Sequence, residues 1–197
     1  MDLGVFALHT VLFPGQGLEV TVFEDRYKHL LEDVLPEDPF AVVAIRRGQE
    51  VGGAYEPHVV GVRVLPEDYD LNDDATFRLE VRAIERIRLV RKLRDEPYAQ
   101  WEVKRWPEEG AAGPEDVDRA VAAWKRFLDA SELEAEAELP EDPALLSYSL
   151  AAVVPGMLLE HQALLEAPGP AERLGMLARA FRLEAAFQRA LKGRREG

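Results

Sequence analysis

Cysteine is missing from this 197-residue chain, which excludes disulfides, thiolate nucleophiles and thiolate-bound zinc. Serine is almost missing: Ser131, Ser147 and Ser149 are the whole set, and none lies in a G-x-S-x-G elbow or a Ser-Lys setting. No G-x-x-x-x-G-K-[ST] phosphate loop occurs. His9, His29, His58 and His161 are scattered, with no H-E-x-x-H or comparable ligand pair. From these absences the expectation is no enzyme, no catalytic residue, no metal site and no cofactor. No apolar run approaches the roughly 20 residues of a membrane helix, and the opening MDLGVFALHT lacks the basic region of a signal peptide. A soluble, cytoplasmic protein is therefore expected. Asn72 is the only asparagine, arginine outnumbers lysine and the loops are proline-rich, a thermophile's compositional flavour. Positive charge is also short: 37 acids face 24 bases, for a net charge of −13. Phosphate is repelled at long range by such a chain, so non-specific nucleic-acid binding is disfavoured.

What is present is organised around residues 12 to 35. Pro14-Gly15-Gln16-Gly17 has turn chemistry, and Leu18, Val20 and Val22 then alternate with Glu19 and Thr21 as in a strand with one buried face. The period next changes: Tyr27, Leu30, Leu31, Val34 and Leu35 form one stripe of an amphipathic helix, with Glu24 and Asp25 at its start and Pro36 and Pro39 beyond its end.

Around that stretch, Leu3 to Phe13 reads as a first strand, Phe40 to Ile45 as a buried strand, and Val59 to Leu65 as another, with Gly61 marking a bulge or close backbone approach. Val51 to Ala54 reads as a flexible connection. In residues 66 to 74, Asp68, Asp70 and Asn72 occupy positions 1, 3 and 5 of a calcium loop, but Asp73 replaces its glycine and Leu79 its glutamate, so a solvated hairpin turn is expected. Phe77, Leu79, Val81, Ala83, Ile87 and Leu89 then alternate with Arg78, Glu80, Arg82, Arg86 and Arg88. This basic ribbon, running on to Arg94, is expected to pair with carboxylates of neighbouring strands; the other reading is a face for RNA or an acidic partner. Ala99, Trp101 and Val103 share the buried face of a last strand.

Trp106-Pro107 and residues 108 to 113 make the best domain boundary, and all that follows has helical period. Pro114 opens a helix with Val117, Val121, Trp124, Phe127 and Leu128 as its stripe. Residues 131 to 142 are an acidic link, Asp142-Pro143 caps a second helix, Met157 to Glu166 is a third, and Pro170 opens the last. On the last helix Leu174, Leu177, Ala178, Phe181, Leu183 and Leu191 are read as apolar positions, with Lys192, Arg194 and Arg195 at its C-terminal end. The expected class is α+β, divided into a β-rich part with one helix (1–108) and a helical part (114–197).

LFPG, Leu18-Glu19-Val20 and Phe23-Glu24-Asp25-Arg26-Tyr27 resemble the opening signature of the LON substrate-binding domain, the N-terminal module of Lon-type ATP-dependent proteases. That family commonly reads L-P-L and F-E-P-R-Y, so Glu19 and Asp25 stand where its prolines usually do. Residues 83 to 89 resemble its G-x-x-R-F-R-V with alanine for glycine, residues 95 to 103 its D-x-P-Y-x-x-A-x-V, and Gln162 to Glu166 with Arg173-Leu174 its Q-x-L-L-E…R-L. The resemblance implies a partly closed, PUA-like β-barrel followed by an α-helical bundle. It also implies a non-catalytic module that recognises unfolded or tagged polypeptides, with a protease or chaperone as a further partner. The alternative it carries is a PUA-like RNA-binding protein using the Arg78 to Arg94 ribbon. The candidate binding residues are Glu24, Arg26, Tyr27 and Arg86. Glu24, Arg26 and Tyr27 could line a recognition groove; the simpler account is that Arg26 pairs with a carboxylate and Tyr27 packs. The working surface is expected to be a non-polar groove where barrel and bundle meet.

Overall fold

The computed structural model describes residues 1–134 and 138–195, the last three by backbone alone. The chain separates into two compact units, Met1–Pro107 and Glu108–Gly197. The first holds β1 (Asp2–Leu8), β2 (Gly17–Val22), α1 (Asp25–Val34), β3 (Phe40–Gly48), β4 (Tyr55–Leu71), β5 (Phe77–Arg94) and β6 (Gln100–Arg105). Their order in the sheet is β2-β5-β4-β3-β1-β6, with a further β5–β6 pairing, so five strands close a circuit of pairings and β2 adds to β5 outside it. Among the described residues only β1 and β3 pair in parallel.

Continuous apolar runs sit where a strand is covered on both faces. After its first residue β1 is buried throughout, and β3 is buried from Phe40 to Ile45. Leu3, Val5, Ala41, Val43, Ile87, Leu89 and Val103 meet in one core cluster, with Ala99 and Trp101 packed on its margin. Burying a side chain of this size contributes roughly 1.5–3 kcal/mol. The helical stripe of α1 is the expected one: Tyr27, Leu30, Leu31 and Val34 are all buried. The Tyr27 ring lies 4.1 Å from that of Phe6, and Tyr98 donates to the Asp33 carboxylate at 2.6 Å.

Three local expectations are corrected. The first strand ends at Leu8 rather than Phe13. Leu12 and Phe13 are buried without joining the ladder, and the Phe13 N–H is taken by the Gln16 side chain at 2.7 Å. In the turn that follows, Gly15 has φ +88° and donates to Ala83 O at 2.8 Å, while Ala83 donates to Gln16 O at 2.9 Å. Two residues opposite one, with glycine left-handed, is a G1 bulge. Second, residues 66 to 71 are strand, not turn. The reversal is confined to Asn72–Thr76, where Asn72 N–H meets Thr76 O at 2.8 Å, and Asp68 and Asp70 flank Arg78. Third, residues 51 to 54 are tethered by side chains of the α1 region. Gly61 is the close approach expected, since a Cβ there would strike the Val42 carbonyl.

The second unit holds α2 (Pro114–Ser131), α3 (Pro143–Val153), α4 (Leu158–Leu165) and α5 (Pro170–Arg195), and among the described residues no strand follows Arg105. Side chains close the N-termini: Asp116 accepts from Gly113 N–H at 3.1 Å, Asp142 from Leu145 N–H at 2.9 Å and Glu160 from Met157 N–H at 2.6 Å. Against α5, α2 buries Ala120, Ala123 and Ala130 beside Trp124 and Phe127, and the Phe127 and Phe181 rings are 5.5 Å apart. Small residues on the α2 face let the two backbones approach. Of the α5 positions read as apolar, Leu174, Leu177, Ala178 and Phe181 are buried, whereas Leu183 and Leu191 are exposed, Leu183 by 73 %. Lys192 pairs with Glu132 at 2.6 Å; the side chains of Arg194 and Arg195, and residues 135–137 of the acidic link, lie outside the described residues.

Arg173, in the first turn of α5, is fully buried. Its Nε donates to Leu164 O at 2.9 Å, Nη1 to Ser147 Oγ at 2.7 Å, and Nη2 to the Glu108 carboxylate at 3.1 and 3.2 Å. The guanidinium also lies 4.0 Å from the centre of the Tyr148 ring, whose hydroxyl donates to Glu108. One side chain thus joins α3, the end of α4 and the segment before α2.

Candidate functional site

Glu24, Arg26 and Tyr27 come together because the chain turns from β2 into α1 there. The Glu24 carboxylate accepts from Gly52 N–H at 2.9 Å and pairs with Arg26 at 3.0 Å. Arg26 donates to Glu50 O at 2.7 Å and Gly53 O at 3.5 Å, and its guanidinium lies over the Tyr27 and Tyr55 rings at 4.5 and 5.4 Å. Tyr27 is buried, with its hydroxyl 3.3 Å from both the N–H and the O of Ala7. The cluster therefore clasps the 50–53 segment onto α1.

Burial, more than the neighbouring charges, pushes both Tyr27 and Tyr55 above the ordinary tyrosine value of 10.0. A raised folded-state value means this contribution is complete below about pH 10, where both states hold the proton. It is lost as pH climbs from there toward the folded value, because only the unfolded chain ionises. We expect the urea midpoint to fall above about pH 10 and to fall less in a Tyr27→Phe, Tyr55→Phe double variant; an equal fall in both would remove these two groups as the cause.

Arg86 sits elsewhere, in the middle of β5. It is 3 % exposed, donates to Pro107 O at 3.2 Å and lies 4.9 Å from the centre of the Trp106 ring. Burial removes it from any exposed basic ribbon. Much of the rest of the ribbon is engaged by carboxylates. Arg78 takes Asp68, Asp70 and Glu80, and their hydrogen bonds push its guanidinium still further up. Arg82 forks onto Glu67 at 2.6 and 2.9 Å and holds that carboxyl below its usual range. Glu85 joins Arg63 to Arg105, and Arg91 pairs with Glu102.

Apolar surface is exposed in both units. Beside β2, Phe6, Leu8, Val20, Val22, Phe23 and Val51 line a pocket of about 240 Å³. In the second unit, Leu164, Met176, Ala180 and Leu183 line a groove of about 460 Å³ between α4 and α5. Met176, Ala180, Leu183 and Phe187 follow helical spacing along α5, and Leu183 and Phe187 are 73 % and 55 % exposed. Met157 and Leu159, at the start of α4, are exposed too. Spacing along α5 gave Leu183 as an apolar position together with the buried Leu174, Leu177, Ala178 and Phe181, but not that it lies on an exposed face.

Comparison with known proteins agrees over most of the chain. Residues 2–180 match the model of the ATP-dependent protease La (LON) substrate-binding domain. Lon protease 2 of Syntrophobacter fumaroxidans is 26 % identical over 167 residues, which is 80 % of this chain and 21 % of that protein, so the chain spans about a fifth of its relative's length. The crystal structure of a Lon N-terminal domain protein from Xanthomonas campestris superposes with a TM-score of 0.68 at 27 % identity, covering 90 % of this chain and 96 % of that one. The N-terminal domain of a Mycobacterium avium complex Lon protease shares the fold, with a TM-score of 0.68 at 17 % identity over 92 % and 98 % of the two chains. The chain, whose described residues form six paired strands and five helices and which is matched from residue 2 to residue 180, belongs to the LON substrate-binding domain family.

Proposed function

We propose that this protein is a polypeptide-recognition module that takes up unfolded or tagged chains for proteolysis, without chemistry of its own. The observation carrying this is the exposed apolar stripe Met176, Ala180, Leu183 and Phe187 beside the α4–α5 groove. Side chains of this kind on an exposed surface favour sequence-tolerant apolar contact, which suits a binder of many unfolded segments. In this reading the closed circuit of five strands is a partly closed, PUA-like barrel, and α2 to α5 are a helical bundle. Glu24, Arg26 and Tyr27 hold the barrel's 50–53 segment in place, Arg86 anchors Trp106, and a protease or chaperone receives the bound chain. RNA binding finds less support, since Arg78 and Arg82 are already engaged by carboxylates.

Crosslinking the purified protein to a denatured model polypeptide, with sites mapped by mass spectrometry, tests the reading. Crosslinks are expected on α4 and α5. A Leu183→Asp, Phe187→Asp double variant, altered only at exposed positions, should keep its melting temperature and bind about tenfold more weakly, a loss of about 1.4 kcal/mol. Crosslinks confined to residues 78 to 94 and abolished by salt would replace this reading with the electrostatic one.

A further inference from the structure

We propose that the free edge of β2 takes up an extended polypeptide segment as an added strand. The inference rests on the polypeptide-recognition reading and gives it a second, backbone-reading site. Among the described residues β2 pairs only with β5, in a register running from Gly17 opposite Arg82 to Val22 opposite Phe77. The bulge fixes the phase of that ladder. Ala83 donates to Gln16 O, so Gln16 and Ala83 are a hydrogen-bonded pair, and the alternation of an antiparallel ladder makes Leu18, Val20 and Val22 the next residues bonded to β5. Gly17, Glu19 and Thr21 therefore turn their N–H and C=O groups away from β5, and all three residues are exposed.

Edge strands are usually blunted by proline, lysine or a bulge along their length. From Gly17 to Val22 this one carries neither proline nor lysine. Glu19 therefore keeps an outward backbone donor that a proline at that position would delete. Beside the edge lies the 240 Å³ pocket, where Val20, Val22, Phe6 and Leu8 can receive the side chains that an added strand turns inward at every second residue. Glu24 and Glu50 also line the pocket, and the chain's net charge is −13. The occupant is thus an unfolded segment in which apolar residues alternate with neutral or basic ones.

The test measures fluorescence anisotropy with a labelled peptide alternating valine and lysine. Glu19→Pro removes the outward donor but none of the bonds to β5, so the melting temperature should hold while affinity falls about tenfold. Glu19→Gln, which keeps the backbone donor and loses only the charge, should bind as the parent does. The same peptide N-methylated at alternate amides reads the bond from the ligand's side and needs no variant to fold; it should bind about tenfold more weakly than the unmodified peptide. Equal binding by Glu19→Pro, or by the N-methylated peptide in both registers of methylation, overturns strand addition. If the parent protein binds neither this peptide nor a denatured polypeptide, the recognition reading fails and this inference fails with it. Retained capture of the denatured polypeptide without peptide binding overturns the β2 site alone.

Discussion

Arg173→Ala should be the most damaging single substitution in the helical unit, lowering stability by about 3 kcal/mol. In a chain of this length that corresponds to roughly 6–12 °C of melting temperature. The reason is the number of groups it leaves behind. Leu164 O and Ser147 Oγ lose a charged donor in a buried setting, and Glu108 keeps its charge beside a cavity. The Glu108 side chain is 24 % exposed, so water recovers part of the cost there; the buried oxygens have no such relief. Arg173→Lys should restore only part, because one ammonium cannot span α3, the end of α4 and residue 108 together. Urea unfolding of the three proteins measures the series. A loss under about 1 kcal/mol for the alanine variant would show that α3 and α4 are held chiefly by their apolar contacts.

The next largest effect is expected from Arg26→Ala. Two carbonyl acceptors on the 50–53 segment, the ion pair with Glu24 and the stacking on Tyr27 and Tyr55 are lost together. About 2–3 kcal/mol follows from a partly buried charged donor with two rings beneath it. Amide exchange should rise at residues 50 to 54 more than in β1 or β3, since those backbone groups are tethered by Arg26 and Glu24. An unchanged melt combined with lost polypeptide binding would make the cluster a recognition surface instead of a clasp.

Much of this was legible in the sequence because periodicity reports local geometry directly. The switch of period at Phe23 placed α1, and the Gly-Pro-rich stretch after Trp106 marked where strands give way to helices. Tertiary choices were less visible. Val11-Leu12-Phe13 is apolar because Leu12 and Phe13 are buried, and composition cannot separate burial from strand pairing. The charged end of β4 looked like a turn, although Asp68 and Asp70 lie on the strand beside Arg78. Arg86 has the spacing of an outward residue, yet Trp106 covers that face, so two successive residues of β5 are buried. Nothing local marks Arg173 as buried, because its partners come from three other segments of the chain.

The position of β1 within the sheet also orders how the first unit assembles. Of the six strands this one is synthesised before the others, yet its two neighbours are far along the chain: Val5 lies opposite Ala41 of β3, whereas Asp2 lies opposite Glu102 of β6. Closing the longer loop directly costs about 0.9 kcal/mol more than closing the shorter one, by the logarithmic dependence on loop length. Docking β1 on β3 first, and then growing the β4–β5 hairpin, brings β6 to its place with most of that entropy already lost. Until Val103 is synthesised and meets Met1, at 2.8 Å between backbone nitrogen and oxygen, β1 carries an unpaired edge of buried-type residues. For that interval the nascent chain itself exposes an apolar strand edge open to mispairing with other chains.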